Sequence, residues 1–249
     1  MSATGVVAAL EFEAESLGTR RHRADGLCGL RDGSLLSVSG VGGDSAARAA
    51  RELVAAGAGA LLSWGVAGAL DPGLGCGAVL LPAEVLRPAS AAGPLPPQRF
   101  ATCRTWRERV AAALQPHAPV AAGALLTSAS PVAAAELKTR LFQDTGAVAV
   151  DMESAAVAQV AAEHALPFIT LRVVLDTASV SLPGSVMRTL EPGNARRSGL
   201  WRAFALVSAP ADWGALLRLA AAYRLARRAL LECARRGDPT AAPAGREGG

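Results

Sequence analysis

Short uncharged runs of strand length recur from Val6 to Asp176, each bounded by glycine, proline or an acid and separated by helix-length segments. This rhythm constrains the fold more than any other feature of the chain. Val6–Leu10 is apolar and runs into the acidic Glu11–Glu15. Ser34–Ser39 ends in the glycine turn Gly40-Val41-Gly42-Gly43, after which Asp44 or Ser45 can cap a helix over Ala46–Ala56 that Gly57 closes. Ala60–Trp64 is followed by the small-residue stretch Gly65–Gly68, read as a loop, and by the turn Asp71-Pro72-Gly73. Ala78–Pro82, Ala121–Thr127, Ala147–Val150 and Phe168–Leu175 complete the strands. Trp106–Leu114, Val132–Phe142 and Ser154–His164 have helical spacing, and the Pro/Ala/Gly-rich Arg87–Gln98 reads as a surface loop.

Strands alternating with helices predict a mainly parallel or mixed central sheet covered on both faces, a three-layer αβα sandwich of the α/β class. Ligands of such sheets sit beyond the carboxyl ends of the strands. Glu13, the Gly65–Gly68 stretch, Glu153 and Asp176 all follow candidate strands. Each acid has an ordinary explanation: Glu13 as a surface acid, Glu153 as a first-turn acid favoured by the helix dipole, Asp176 as a solvated strand end. Their shared placement makes them candidates. The glycines at 40, 42 and 43 lack the last glycine of a dinucleotide-binding fingerprint, because Ser45 stands there. A turn that brings backbone N–H groups to a helix N-terminus fits them better.

Length and composition narrow the class. At 249 residues the chain is long enough for one well-buried α/β domain. Alanine carries much of the 51% hydrophobic content, so the mean hydropathy of +0.29 overstates any membrane character. Leu53–Leu70 is interrupted by four glycines and Val110–Ala135 by three prolines, so neither reads as a span. No basic n-region precedes Val6–Leu10, which places the expected compartment in the cytoplasm. Cys28, Cys76, Cys103 and Cys233 form no CxxC pair and the three histidines no HExxH, so neither a disulfide framework nor a metal site is expected. The net charge of +4 is concentrated in Asp212–Arg236, with six arginines against two acids, whereas a nucleic-acid binder spreads its basic residues over a core face. No nucleic-acid partner is expected.

At this point the motifs resemble a family. Gly5–Glu13 (GVVAALEFE), Ser39–Ala47 (SGVGGDSAA), Ser63–Leu70 (SWGVAGAL), Val150–Val157 (VDMESAAV) and Pro167–Asp176 (PFITLRVVLD) follow the order of the nucleoside phosphorylase/nucleosidase superfamily. The similarity is closest to the methylthioadenosine/S-adenosylhomocysteine nucleosidases and to a hopanoid-associated branch. The resemblance implies a nucleoside phosphorylase-like fold, cleavage of a purine N-glycosidic bond, no metal or organic cofactor, and a homodimer. It makes Asp176 the acid that protonates or hydrogen-bonds purine N7 and Glu13 the residue that activates water. Glu153 would hold the ribose hydroxyls, with Met152 beneath the sugar. Val66, Ala67, Gly68, Gly42, Thr127 and Ser128 would complete the substrate-binding set, the last two with backbone groups beside the adenine.

The chain also departs from the family pattern. Val66 stands where nucleosidases carry a serine, and no arginine closely follows the first strand, where phosphorylases hold phosphate; only Arg48 and Arg51 are placed to compensate. That favours water as nucleophile. The expected domains are a catalytic unit over 1–210, a basic amphipathic helix over 211–236 and a disordered tail over 237–249. Leu216, Leu217, Ala220, Tyr223, Leu230 and Leu231 mark the helix's apolar face, which either packs on the domain or meets an anionic membrane surface or a greasy substrate entrance. Ser179–Leu182, Val186, Leu190, Trp201 and Phe204 add apolar material for such an entrance. This resembles the hopanoid-associated members and implies a lipid-linked nucleoside, adenosylhopane, from which adenine is released. A phosphorolytic purine nucleoside phosphorylase, a methylthioadenosine/S-adenosylhomocysteine nucleosidase and a non-catalytic nucleoside sensor remain alternatives.

Overall fold

The structure is a computed structural model that describes residues 3–88, 97–181 and 213–243, with the backbone alone for 213–217. Its strands are β1 (Ala3–Ala8), β2 (Arg21–His22), β3 (Cys28–Gly29), β4 (Leu35–Val38), β5 (Ala58–Ala69), β6 (Val79–Leu80), β7 (Glu84–Arg87), β8 (Gln98–Ala101), β9 (Val120–Ala121), β10 (Ala124–Thr127), β11 (Ala147–Asp151) and β12 (Phe168–Asp176). The helices are α1 (Glu11–Glu15), α2 (Gly43–Ala55), α3 (Arg104–Leu114), α4 (Ala135–Thr145), α5 (Ser154–Glu163) and α6 (Trp213–Arg236).

The twelve strands form one mixed sheet. Its spine is β5, flanked by β1 and β12 in parallel and met near its end by β11 in antiparallel, through Gly68↔Val150 and Ala69↔Ala149. Gly65–Gly68 therefore belongs to a strand, correcting the loop expected from its small residues. β12 pairs with it as far as Asp176↔Gly68. Small side chains there leave room for carboxylates to lie against the strand. A Cβ at Gly65 would collide with Glu13 Oε1, and one at Gly68 would stand 3.2 Å from Asp176 Oδ2.

Two apolar layers hold the sheet between helices. On one face Ala46, Ala49 and Leu53 of α2 and Val157 and Val160 of α5 pack on Val7 and Leu61. On the other, Trp106, Val110 and Leu114 of α3 meet Val6, Leu62, Trp64 and Ile169. Helix α6 joins that second layer. Its buried stripe is Leu219, Ala226, Leu230 and Cys233, at a helical period. Only Leu230 belongs to the face expected from the sequence: Ala220, Tyr223 and Leu231 are half-buried, and Leu216 and Leu217 fall in the backbone-only stretch. Leu230→Ala is expected to cost about 2–5 kcal/mol of unfolding free energy. Urea denaturation of the whole chain checks this, and no measurable loss would mean that α6 does not pack here.

Residues 237–243 also differ from the expected tail. Trp106 Nε1 donates to Pro239 O at 3.0 Å and Thr4 Oγ1 to Thr240 O at 2.5 Å, anchoring the chain against α3 and β1. The Arg87–Gln98 segment begins and ends in the β7–β8 hairpin; its residues 89–96, like Leu182, Val186, Leu190, Trp201 and Phe204, lie outside the described residues. No helix among the described residues is long and apolar enough to cross a membrane.

Candidate active site

The carboxyl ends of β1, β5, β11 and β12 converge on one cleft enclosing about 690 Å³ of empty space, part of it open to solvent. Glu13, Val66, Ala67, Gly68, Met152, Glu153 and Asp176 line it, as do Asp151 and the apolar Val41, Val132, Val150 and Leu175. The acids marked by the sequence thus share one space. A second cleft, at the β2–β3 hairpin, is bordered by Thr19, Arg21, Gly29, Leu30 and Arg31 and contains no carboxylate.

Glu13 sits in the short helix that follows β1. Its Oε2 accepts from the N–H groups of Ala9 (2.9 Å) and Leu10 (2.8 Å), and its Oε1 from Val66 N–H (2.9 Å). The Leu10 bond is the returning half of a capping box; leucine offers no side-chain acceptor for the other half. Burial raises the pKa of Glu13, while Arg172 and the three N–H groups oppose the rise. A buried carboxylate fixed by three donors and poised upward is suited to take a proton from water.

Glu153 closes the Asp-Met-Glu turn between β11 and α5. Gly42 N–H donates to its Oε1 at 2.8 Å and Met152 N–H to its Oε2 at 3.2 Å. Burial, then the neighbouring Asp151, pushes its pKa up to about 7. The glycine turn before α2 therefore spends an N–H on a protein carboxylate. This corrects the substrate-binding role expected for Gly42, whose neighbour Val41 lines the cleft instead.

Asp176 ends β12. It receives the ammonium of Lys138, a fully buried lysine on α4. Burial raises its pKa and Lys138 opposes the rise. Glu13, Glu153 and Asp176 are all shifted upward, so the folded protein binds protons that the unfolded chain has released. For Glu153 that contribution is complete below its ordinary value of 4.5 and is lost as pH rises through about 7. The thermal midpoint of the ligand-free protein is therefore expected to fall between about pH 5 and pH 8, and to fall less in Glu153→Gln. A flat profile for both proteins would contradict the shift.

Beneath the cleft lies a buried polar network that the sequence reading did not identify. Arg172 donates to Asp151 Oδ2 through Nε (3.0 Å) and Nη2 (2.8 Å), and from Nη2 also to Ser63 and Ser154. Thr127 belongs to this network: its hydroxyl donates to Asp151 Oδ1 at 2.8 Å and accepts from Ala155 N–H. Ser128 turns its hydroxyl to Ser130 O. Neither lines the cleft; Ser130, Pro131 and Val132 do, which moves the expected adenine-side segment a few residues along the chain. Two signals could have exposed these groups. Arg172 is the one charge inside an apolar strand, and Lys138 is the only lysine of the chain.

Among the described residues no cationic side chain lines the cleft. Arg48 is exposed and Arg51 faces Glu163 at 3.6 Å, so neither supplies a phosphate clamp. No group of three or more metal-binding side chains occurs among the described residues.

Carboxylates buried at the strand ends of an α/β scaffold, around a largely apolar cleft, can exchange protons with a small organic ligand bound there. A profile of the Phosphorylase superfamily matches residues 27–205, and the chain belongs to that superfamily. The match includes Glu153 and Asp176 and starts beyond Glu13. Solved structures share the fold. The 5'-methylthioadenosine/S-adenosyl homocysteine nucleosidase of Helicobacter pylori is 20% identical, with a TM-score of 0.65 over 81% of this chain and 97% of its own. Futalosine hydrolase of the same organism is 17% identical, with a TM-score of 0.66 over 93% and 96%. The Neisseria meningitidis nucleosidase, in complex with methylthio-immucillin-A, is 22% identical, with a TM-score of 0.63 over 93% and 98%. A search of curated proteins gives no match.

Proposed function

We propose that this chain hydrolyses the N-glycosidic bond of a 5′-substituted adenosine and releases adenine. The observation that carries this reading is the presence of Glu13, Glu153 and Asp176, all buried, on the walls of one cleft. Asp176 gives its proton to purine N7 as the C1′–N9 bond breaks with its electron pair going to the base. Water adds to the oxocarbenium-like C1′ and passes a proton to Glu13, so that nucleoside and water become adenine and a free sugar. Glu153 accepts hydrogen bonds from the ribose hydroxyls, and Met152 packs beneath the ring.

Water rather than phosphate is the nucleophile in this reading, because no cation lines the cleft among the described residues. The nucleosidases and the hydrolase that share the fold support it. The finer assignment is adenosylhopane as substrate. It draws on the resemblance of the motifs to hopanoid-associated members and on the apolar lining of Val41, Val66, Val132, Val150 and Leu175. The buried stripe of α6 leaves its exposed arginines, among them Arg218, Arg224 and Arg228, as the groups that would meet an anionic membrane.

The test is a panel of 5′-substituted adenosines, including methylthioadenosine and adenosylhopane, incubated with and without phosphate while free adenine is followed by chromatography. Adenine release that is independent of phosphate is the expected result, fastest with the large apolar 5′ group. Ribose 1-phosphate as product would select the phosphorylase alternative. Binding without release would select the sensor.

A further inference from the structure

We propose that Lys138 is a positioning residue for Asp176: its ammonium occupies Oδ2, leaving Oδ1 to carry the proton to the departing base. The inference rests on the reading of Asp176 as the acid. As an ammonium, Lys138 has three hydrogens, and three acceptors surround it: Asp176 Oδ2, Thr177 O at 2.9 Å and Val180 O at 2.8 Å. Its side chain is wholly inaccessible to solvent. Every other basic side chain apart from histidine is an arginine. A compact tetrahedral donor satisfies three converging oxygens that a planar guanidinium does not fit.

The consequence for the reaction follows from charge. To act as the acid, Asp176 enters the reaction protonated, the form that burial favours, and burial by itself would make it a reluctant acid. When its proton leaves for N7, a carboxylate develops beside a cation already in place, so Lys138 stabilises the transition state more than the ground state. The two carbonyl contacts tie the same ammonium to the turn after β12, so carboxyl and cation cannot drift apart independently. Among the described residues, the other titratable groups around Asp176 are Cys76, whose thiol donates to Leu175 O, and Glu13, Asp151 and Glu153 across the cleft. None of these is a cation.

The experiment compares wild type, Lys138→Met and Asp176→Asn on a 5′-substituted adenosine and on 4-nitrophenyl riboside, whose leaving group departs without a proton. Lys138→Met is expected to lower kcat for adenine release by about 10²-fold. The nitrophenyl riboside should suffer much less, and the alkaline limb of the kcat–pH profile should move to higher pH, because the acid has lost its neighbouring cation. If the wild type does not accept that riboside, the position of the limb decides. Equal losses on both substrates with an unmoved limb would overturn the inference and leave Lys138 a packing role. Should the methionine variant not fold, Lys138→Gln, uncharged but still a donor, replaces it with the same outcomes. Wild-type inactivity toward every nucleoside, or full activity of Asp176→Asn, would instead sink the acid assignment itself. Leaving-group discrimination by Asp176→Asn without it in the Lys138 variant removes only the present inference.

Discussion

Asp176→Asn is expected to lower adenine release by at least about 10²-fold, the scale of a lost general acid. An anionic purine leaves poorly, so the reaction needs a proton on the base, and an amide in place of the carboxyl has none to give. The amide keeps a carbonyl oxygen for the buried Lys138 ammonium but cannot ionise beside it, so the thermal midpoint should fall most where the wild-type carboxyl is ionised. Both are measurable on one preparation: initial rates of adenine release below the midpoint, then the midpoint itself. Unchanged turnover would refute the role given to Asp176.

Glu13→Gln is expected to reduce turnover by about 10²–10⁴-fold while a 5′-substituted adenosine still binds. The Glu13 carboxylate accepts three backbone N–H groups, two at Oε2 and one at Oε1. A glutamine must turn its NH₂ toward at least one of them, so the side chain loses both its basicity and part of its anchorage. Equilibrium dialysis separates the two effects: retained binding with lost release identifies a chemical role, whereas loss of both would make Glu13 a structural cap. Adenosine binding without release, indifferent to this substitution, would support a non-catalytic sensor.

The sequence made the strand-end acids legible for a physical reason. An acid at or a few residues beyond the end of a mainly apolar strand must lie near the carboxyl edge of the sheet, and Glu13, Glu153 and Asp176 meet that description. What stayed hidden depends on side-chain direction and long-range contact. Gly65–Gly68 reads as a breaker because glycine is unfavourable in a strand, yet here it admits the carboxylates of Glu13 and Asp176 against the strand. The resemblance puts backbone groups of Thr127 and Ser128 beside the adenine, whereas neither residue lines the cleft and the Thr127 hydroxyl serves Asp151. The two-residue strands β2 and β3 are too short to show a period of two. Lys138 lies 38 residues from Asp176, and only the packing of α4 near the end of β12 brings them together.

The same edge explains how the fold positions chemistry. β5 carries Val66 N–H to Glu13 and the open face of Gly68 to Asp176, while β1 and β12, paired on either side of it, deliver the two acids. Arg172, beneath them, lowers the pKa rise of both Glu13 and Glu153, while its partner Asp151 adds to the rise of Glu153.

A structure with a non-cleavable 5′-substituted adenosine analogue bound would test the opposition of acid and base most directly. Purine N7 should lie within hydrogen-bond distance of Asp176, with the Glu13 carboxyl on the far side of C1′ and separated from it by one water. A nucleoside seated outside the cleft, or one that leaves both carboxyls on the same side of the glycosidic bond, would contradict the mechanism.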